Sequence, residues 1–223
     1  LKSALKKIDY HTNKIIIPLL NGISHFELLK NKFKRKMIVS NIGKTISYKK
    51  NSMITHKSPN SPEIMMSSKN EKKIKDIIKI LKSSKIKTIV NKSEDTVIWT
   101  KLIRISTLSA ITSYYNKNLG QIKNNKKKEI TLINILKEVT SLAIAQGLKI
   151  NFKNLKNEIY RLPNNLTTSM QRDLWSGKIS EIESILGGVL KEAKRHNIIL
   201  KTTKKVYKSL KNNEKKNIRN YRH

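Results

Sequence analysis

The 223 residues contain no cysteine. That removes disulfides and thiolate metal sites and fits a reducing compartment, so a cytoplasmic location is expected. Aromatic residues make up only 5% of the chain, too few for the row of stacking platforms that single-strand nucleic-acid binding uses. No apolar run reaches the roughly 18 residues that a spanning helix needs, and no signal peptide opens the chain, so a soluble protein with no membrane partner is expected. The five histidines, His11, His25, His56, His196 and His223, show no paired ligand spacing, and no metal site is expected. Among the basic residues arginine is scarce, and no glycine-rich G-x-G-x-x-G turn follows a strand anywhere.

What is abundant is lysine. Forty-eight basic residues against fifteen acidic ones give a formal charge of +33, which would ordinarily point to a nucleic-acid or anionic-membrane partner. The lysines are scattered, however, and accompany many isoleucines and asparagines, a composition that follows from an A/T-rich genome. The densest run, Lys126-Lys127-Lys128, is short. A basic nucleic-acid-binding protein stays as the less favoured alternative, distinguished by a steep fall of affinity with salt. The chain starts on Leu1 rather than methionine, and is expected to be a fragment or a processed product.

Periodicity divides the chain near Ser93. Before it the pattern is α/β. A short apolar run at residues 14–20 predicts a buried strand ending at the turn signal Asn21-Gly22, and apolar spacing predicts helices over 24–33 and 71–83. Strands are predicted over 37–47, 52–57, 63–66 and 86–90. After Ser93 the pattern is helix upon helix: one capped by Ser93 and running to about residue 116, one over 129–146 closed by Gly147, one over 154–161. Two more open on apparent capping boxes, Thr168 with Gln171 and Ser180 with Glu183. A last helix covers 202–212, and the charged tail 211–223 is expected to be disordered. The fold class is therefore α+β, with a partial α/β domain over 1–93 and an all-α domain over 94–223.

Lys101, Ile105 and Ser109 are spaced i, i+4 and i+8 and share one helix face. A lysine whose stem packs on such a face and whose amine meets a cleft loses hydration, which makes it a better proton donor near neutrality. Lysines at helical spacing are more often simply solvated. The capping assignments leave Ser169 and Glu181 at the first positions of their helices, where free N–H groups and the positive dipole end favour an anion. Ser169 could there offer a hydroxyl and an amide to a carboxylate, whereas Glu181 could equally be a stabilising first-turn acid. Asn21-Gly22 at a strand end lies where α/β sheets bind ligands.

The order and separation of these residues resemble the ketopantoate reductase (2-dehydropantoate 2-reductase) family. The family's Leu-x-Asn-Gly segment is similar to Leu19-Leu20-Asn21-Gly22, and its Trp-x-Lys-Leu helix to Trp99-Thr100-Lys101-Leu102, followed by Leu119-Gly120. Its Glu-Val helix resembles Glu138-Val139 through Gly147. Its Ser-Met-x-x-Asp segment, with Thr-Glu-Ile and a glycine beyond, looks like Ser169-Met170-Gln171-Arg172-Asp173, Ser180-Glu181-Ile182-Glu183 and Gly187-Gly188. The resemblance implies a Rossmann-type NADP-binding domain, of which 1–93 would be the second half. The helical domain over 94–223 would be of the 6-phosphogluconate dehydrogenase C-terminal-like type. It also implies NADPH-dependent reduction of a small 2-keto acid in pantothenate and coenzyme A biosynthesis, by a monomer or homodimer. Lys101 and Glu181 then inherit catalytic roles, Lys101 as proton donor to the keto oxygen. Ser169, Asn21 and Ser109 would contact substrate, and Asn21 and Glu181 the cofactor.

Two departures qualify what is carried over. Family members often have asparagines where this chain has Ile105, Ser109 and Leu119. A site without those amide donors discriminates less sharply for a hydroxylated substrate, so a less polar 2-keto acid becomes a candidate. The glycine-rich turn that holds a dinucleotide pyrophosphate is expected upstream of Leu1, and the fragment by itself is expected to be inactive. A catalytically silent helical binding or dimerisation module is the alternative; its signature would be loss of the lysine or the glutamate, and both are present.

Overall fold

In the first of two compact units, residues 1–20 and 25–101, three short strands with one isoleucine each build a small sheet. The structure, a computed structural model, describes residues 1–8, 14–43, 47–56, 61–67 and 71–220. Two helices open the chain, α1 (Lys2–Lys6) and α2 (Ser24–Phe33), the latter with the predicted bounds. Then come β1 (Val39–Gly43), β2 (Ser47–Lys50), β3 (Met53–His56), β4 (Glu63–Ser67), α3 (Glu71–Ser83) and β5 (Lys87–Val90). The sheet order is β1-β4-β5, with β1 antiparallel and β5 parallel to β4. Strands β4 and β5 thus need the intervening α3 as their crossover. Its Ile74, Ile77, Ile78 and Leu81 pack with Ile38, Ile64 and Met66, as the 3.6-residue spacing predicts.

The predicted strand over 14–20 reduces to one parallel bridge, Ile16 to Met37. Ile16 donates its amide to the Lys36 carbonyl at 2.8 Å and accepts from the Ile38 amide at 2.9 Å. Pro18, two residues on, has no N–H with which to extend the ladder; its carbonyl accepts the Ser40 hydroxyl at 2.8 Å instead. The predicted strand over 37–47 ends at Gly43, and its last residue belongs to a separate hairpin. There β2 pairs antiparallel with β3 around Asn51, whose φ of +53° asparagine tolerates better than most side chains.

Helix α4 (Glu94–Tyr115) begins in the first unit, and from Leu102 it belongs to the second, which comprises residues 21–24 and 102–223. Ser93 caps it as predicted, its hydroxyl accepting the Thr96 amide at 3.1 Å. Five helices follow: α5 (Leu119–Lys123), α6 (Lys126–Ala145), α7 (Phe152–Tyr160), α8 (Ser169–Trp175) and, after a π-helical turn at Glu183–Gly187, α9 (Gly188–Arg195). The last is α10 (Lys201–Asn220). Helix α6 starts three residues before the predicted 129 because Asn125 caps it and lysine is a good helix former. Gly147, at φ +86°, follows its end. The core of this unit includes Ile111, Leu132, Ile135, Leu136, Leu142 and Met170, all fully buried.

Two expectations for this unit fail. The tail from 211 is not disordered as far as residue 220; it is the second half of α10. Leu210 and Glu214 are buried, and Asn217 donates its side-chain amide to the Leu174 carbonyl at 2.9 Å, so this lysine-rich helix has a packed face. Residues 221–223 lie outside the described range. The Ser180–Glu183 capping box does not form either: the Ser180 hydroxyl donates to Glu214 and the Glu183 carboxylate accepts from Tyr207. The first box is half made. Thr168 accepts the Gln171 amide at 3.3 Å, while the Gln171 side chain donates to Asn116. The complete capping box of the unit is Asn118 with Gln121.

Candidate active site

The turn at Asn21-Gly22 is held by close backbone contact within the second unit. Gly22 has φ +82°, and a Cβ there would lie 2.1 Å from the Ser184 carbonyl oxygen, so only glycine fits on both grounds. The Ile23 amide donates to that same carbonyl at 3.3 Å. At Gly188 a Cβ would stand 2.7 Å from Ile23 Cγ2 and 2.9 Å from Ser24 Oγ. Residues 21–24 are therefore seated on the π turn that follows Glu181, and widened turns of this kind recur at functional sites. The consequence is a contact between two residues predicted 160 positions apart: Asn21 Nδ2 donates to Glu181 Oε2 at 2.9 Å.

Glu181 itself is partly buried. It sits one residue before the first helical residue, Ile182, and its carbonyl accepts the Ile185 amide at 2.9 Å. Ser169 is, as expected, the first residue of α8, directly after the Thr168 cap, and it is exposed. The start of α8 is fastened to the second half of α4: the Thr112 and Thr168 hydroxyls are hydrogen-bonded at 2.9 Å, and Gln171 Nε2 donates to Asn116 Oδ1 at 3.1 Å. Ser109, buried, lies one helical turn before Thr112. Ser109 and the N-terminal end of α8 are thereby held along one stretch of α4.

Lys101 lies on α4 at partial exposure, with the half-buried Ile105 four residues on along the same face. The first unit supplies a neighbour that sequence reasoning missed. His25 is buried against Phe26, ring centroids 4.0 Å apart, and its Nε2 has no hydrogen-bond partner among the described residues. Burial, and then the positive charge of Lys101, push the imidazole down from 6.5 to about 4. His25 is thus neutral at physiological pH. The clue in the sequence was its place on the apolar face of the predicted 24–33 helix, where a polar ring is out of pattern.

Glu214 was the other omission. It is the one acidic residue after Glu192, a feature visible in the sequence yet without meaning until α10 is seen to pack. Burial alone would raise its carboxyl; hydrogen bonds from Lys211 and from the Ser180 hydroxyl and amide outweigh that and hold it below the usual carboxylate range.

Comparison with known proteins agrees with the motifs. The family description "ketopantoate reductase PanE/ApbA C terminal" matches residues 95–214, more than half of the chain. The chain belongs to the ketopantoate reductase family. It is 23% identical over 207 residues to the uncharacterized oxidoreductase YkpB of Bacillus subtilis, covering 90% of this chain and 68% of that protein. To the 2-dehydropantoate 2-reductase of Pyrococcus horikoshii it is 28% identical over 102 residues, covering 45% of this chain and 34% of the relative. The chain thus spans about two thirds of the first relative and matches about a third of the second.

Among solved structures, the dimeric ketopantoate reductase of Staphylococcus aureus aligns with a TM-score of 0.80 at 18% identity, over 93% of this chain and 70% of that one. A D-mandelate dehydrogenase in ternary complex with NADH and anilino(oxo)acetate aligns with a TM-score of 0.84 at 13% identity, over 97% and 72%. The fold is that of the ketopantoate reductases, a partial Rossmann-type unit and a helical C-terminal unit. The seating of Gly22 on the Ser184 carbonyl and of Ile23-Ser24 on Gly188 gives these two glycines a steric reason. Among the described residues no helix is long and apolar enough to cross a membrane.

Proposed function

We propose that these 223 residues are the larger part of an oxidoreductase that reduces a 2-keto acid to the 2-hydroxy acid with NADPH. The first candidate substrate is ketopantoate, in pantothenate and coenzyme A biosynthesis. The observation that carries this reading is the Asn21–Glu181 hydrogen bond, because it joins the first and last of the family's motifs in one folded unit. Residues 1–93 would form the second half of the nucleotide-binding domain and 94–223 the substrate domain.

When bound, the nicotinamide supplies a hydride to the carbonyl carbon. The donor set here suits the nicotinamide end only: the Asn21 amide, its free carbonyl oxygen and the second Glu181 oxygen are groups that hydroxyls and amides can bond. No G-x-G-x-x-G turn occurs in the 223 residues, so the pyrophosphate cradle is not among them, and binding of the dinucleotide by this segment alone is expected to be weak. Lys101 would deliver a proton to the keto oxygen as charge develops on it. Its charged form also favours a neutral His25, so that Lys101 has no second cation beside it. Ser169, exposed at the start of α8, would bind the substrate carboxylate with its hydroxyl and the free amides of that helix end, and Ser109 would offer a further hydroxyl.

The half-buried Ile105 on the Lys101 face favours a second substrate, a less polar 2-keto acid, because an apolar side chain there leaves a substrate hydroxyl without a partner. The experiment is a reductase assay of the intact protein with ketopantoate and with apolar 2-keto acids, each with NADPH and NADH. Loss of reduced nicotinamide on at least one 2-keto acid is expected. Selectivity should swing toward ketopantoate in Ile105→Asn. No turnover on any of them would refute the reading.

A further inference from the structure

Glu181 is bonded to Asn21, which is seated on the π turn. The segment that carries Glu181 is bonded in turn to one face of α10, formed by Tyr207, Lys211 and Glu214 at i, i+4 and i+7. Glu214, 6% exposed, accepts both the amide and the hydroxyl of Ser180 on its Oε1, at 2.9 and 2.7 Å. Its Oε2 accepts the Lys211 ammonium at 2.9 Å. Two residues beyond Glu181, Glu183 Oε2 accepts the Tyr207 hydroxyl at 2.7 Å, and Lys211 Nζ lies 3.9 Å from that oxygen. The residues flanking Glu181 are therefore both tied to α10.

A helix start needs no buried charge. Helices α5, α6, α7 and α8 of the same unit are capped by the adjacent Asn118, Asn125, Asn151 and Thr168, each accepting an amide two or three residues on. Ser180 could do the same but uses its hydroxyl as a donor to a carboxylate thirty-four residues away. Burying that carboxylate is costly unless it is well hydrogen-bonded. What the arrangement adds over a local cap is directional: two bonds on Ser180, one from the amide of the 179–180 peptide and one from the side-chain hydroxyl, anchor the residue immediately before Glu181.

We propose that Glu214 is the positioning residue for Glu181, holding its carboxylate where Asn21 and the reacting groups meet it; this rests on the oxidoreductase reading above. Glu214 touches neither substrate nor cofactor in this account. Lys211 neutralises it and Tyr207 fixes the far side of the segment. Without Glu214 both anchors on Ser180 are lost, the residue before Glu181 is released, and the Asn21–Glu181 bond loosens.

The test uses the intact protein and two readouts. The first is the pair of side-chain amide NMR resonances of Asn21, with the Trp175 indole, which donates to the Ser113 carbonyl at 3.1 Å, as the sign of an intact fold. Glu214→Ala, and to a lesser extent Ser180→Ala, should move the Asn21 resonances toward their positions in Glu181→Ala while the Trp175 indole stays in place. The second is steady-state reduction. Glu214→Ala should lower kcat by roughly 10²-fold, the usual scale for about an ångström of misplacement, with KM little changed, and Glu214→Gln, which still accepts from Ser180, should recover most of it. Asn21 resonances that stay at their wild-type positions in both variants, or a fall in kcat without their movement, would overturn the proposal. Should Glu214→Ala not fold, Ser180→Ala decides by the same signals. A wild-type protein that reduces no 2-keto acid would defeat the oxidoreductase reading alone, since the resonances still show whether Glu214 sets Glu181.

Discussion

The two units solve the burial problem with different thoroughness. In the helical unit most of the large core side chains have no exposure at all, Leu132, Leu136 and Leu142 among them. In the α/β unit Phe26, Leu29, Val39, Val97 and Trp99 are buried, but the cluster between sheet and α3, Ile38, Ile64, Met66 and Ile74, is ringed by half-buried aliphatic side chains, and the parallel strand β5 leaves Val90 exposed. Parallel strands are normally covered on both faces. The contrast teaches where precision resides. Asn21, Glu181 and Ser169 are carried by the unit with the larger fully buried core, whereas Lys101 lies at the end of the other, beside a buried histidine whose Nε2 has no hydrogen-bond partner among the described residues.

Substitutions in the two cores should expose this difference. Leu136→Ala in the helical unit should cost about 2 to 5 kcal/mol, the usual range for a cavity in a packed core. Ile77→Ala in the α/β unit should cost about 1 kcal/mol, because part of that side chain is already in water. Denaturant unfolding of each variant, read at its own unit's tryptophan, measures both. Trp99 is buried in the first unit and Trp175 lies in the second, so Trp175→Phe and Trp99→Phe backgrounds report the units separately. Equal costs would remove the comparison.

Mild acid should separate the units by a comparable or smaller amount. The folded pKa of His25, about 4, lies below its unfolded value of about 6.5, so between these limits the unfolded chain binds the extra proton. The first unit's stability is then complete above about pH 6.5 and falls by up to about 3 kcal/mol as the pH drops toward 4. Glu214 is also depressed, but as a carboxylate its contribution is complete above its unfolded value of 4.5 and is lost as the pH falls from there through the folded value, so it overlaps only the acid end of that window. Unfolding followed at Trp99 should weaken between pH 6.5 and 5 while Trp175 holds, and His25→Gln should abolish the difference. Parallel loss at both tryptophans in that range would contradict the role given to His25.

Much of this was legible in the residues, for physical reasons that can be named. Helices α2 and α3 were readable to the residue because their apolar spacing is purely local, and Gly147 and Thr168 ended and began their helices through short-range backbone geometry. The strand over 14–20 was misread because its apolar run says nothing of hydrogen-bond partners, and Pro18 stops the ladder. Ser180 and Glu183 were misread as a capping box because the pair has the right local spacing; the competing partners, Glu214 and Tyr207, come from a distant helix. The tail looked disordered by composition, since its few burying residues, Leu210 and Glu214, matter only once packed. Of the site, the sequence marked Asn21 and Glu181 singly and the fold joins them by a hydrogen bond, but why Gly22 must be glycine appeared only with the Ser184 carbonyl beneath it.

The central claim is that Lys101 acts as proton donor in an oxidoreductase of this family, and it is tested most directly by one substitution in the intact protein. Steady-state reduction of the best 2-keto acid by Lys101→Ala should show turnover lowered by roughly 10² to 10⁴, the usual worth of a general acid, with the affinity for the reduced nicotinamide cofactor changed far less. Turnover unchanged in that variant would contradict the account.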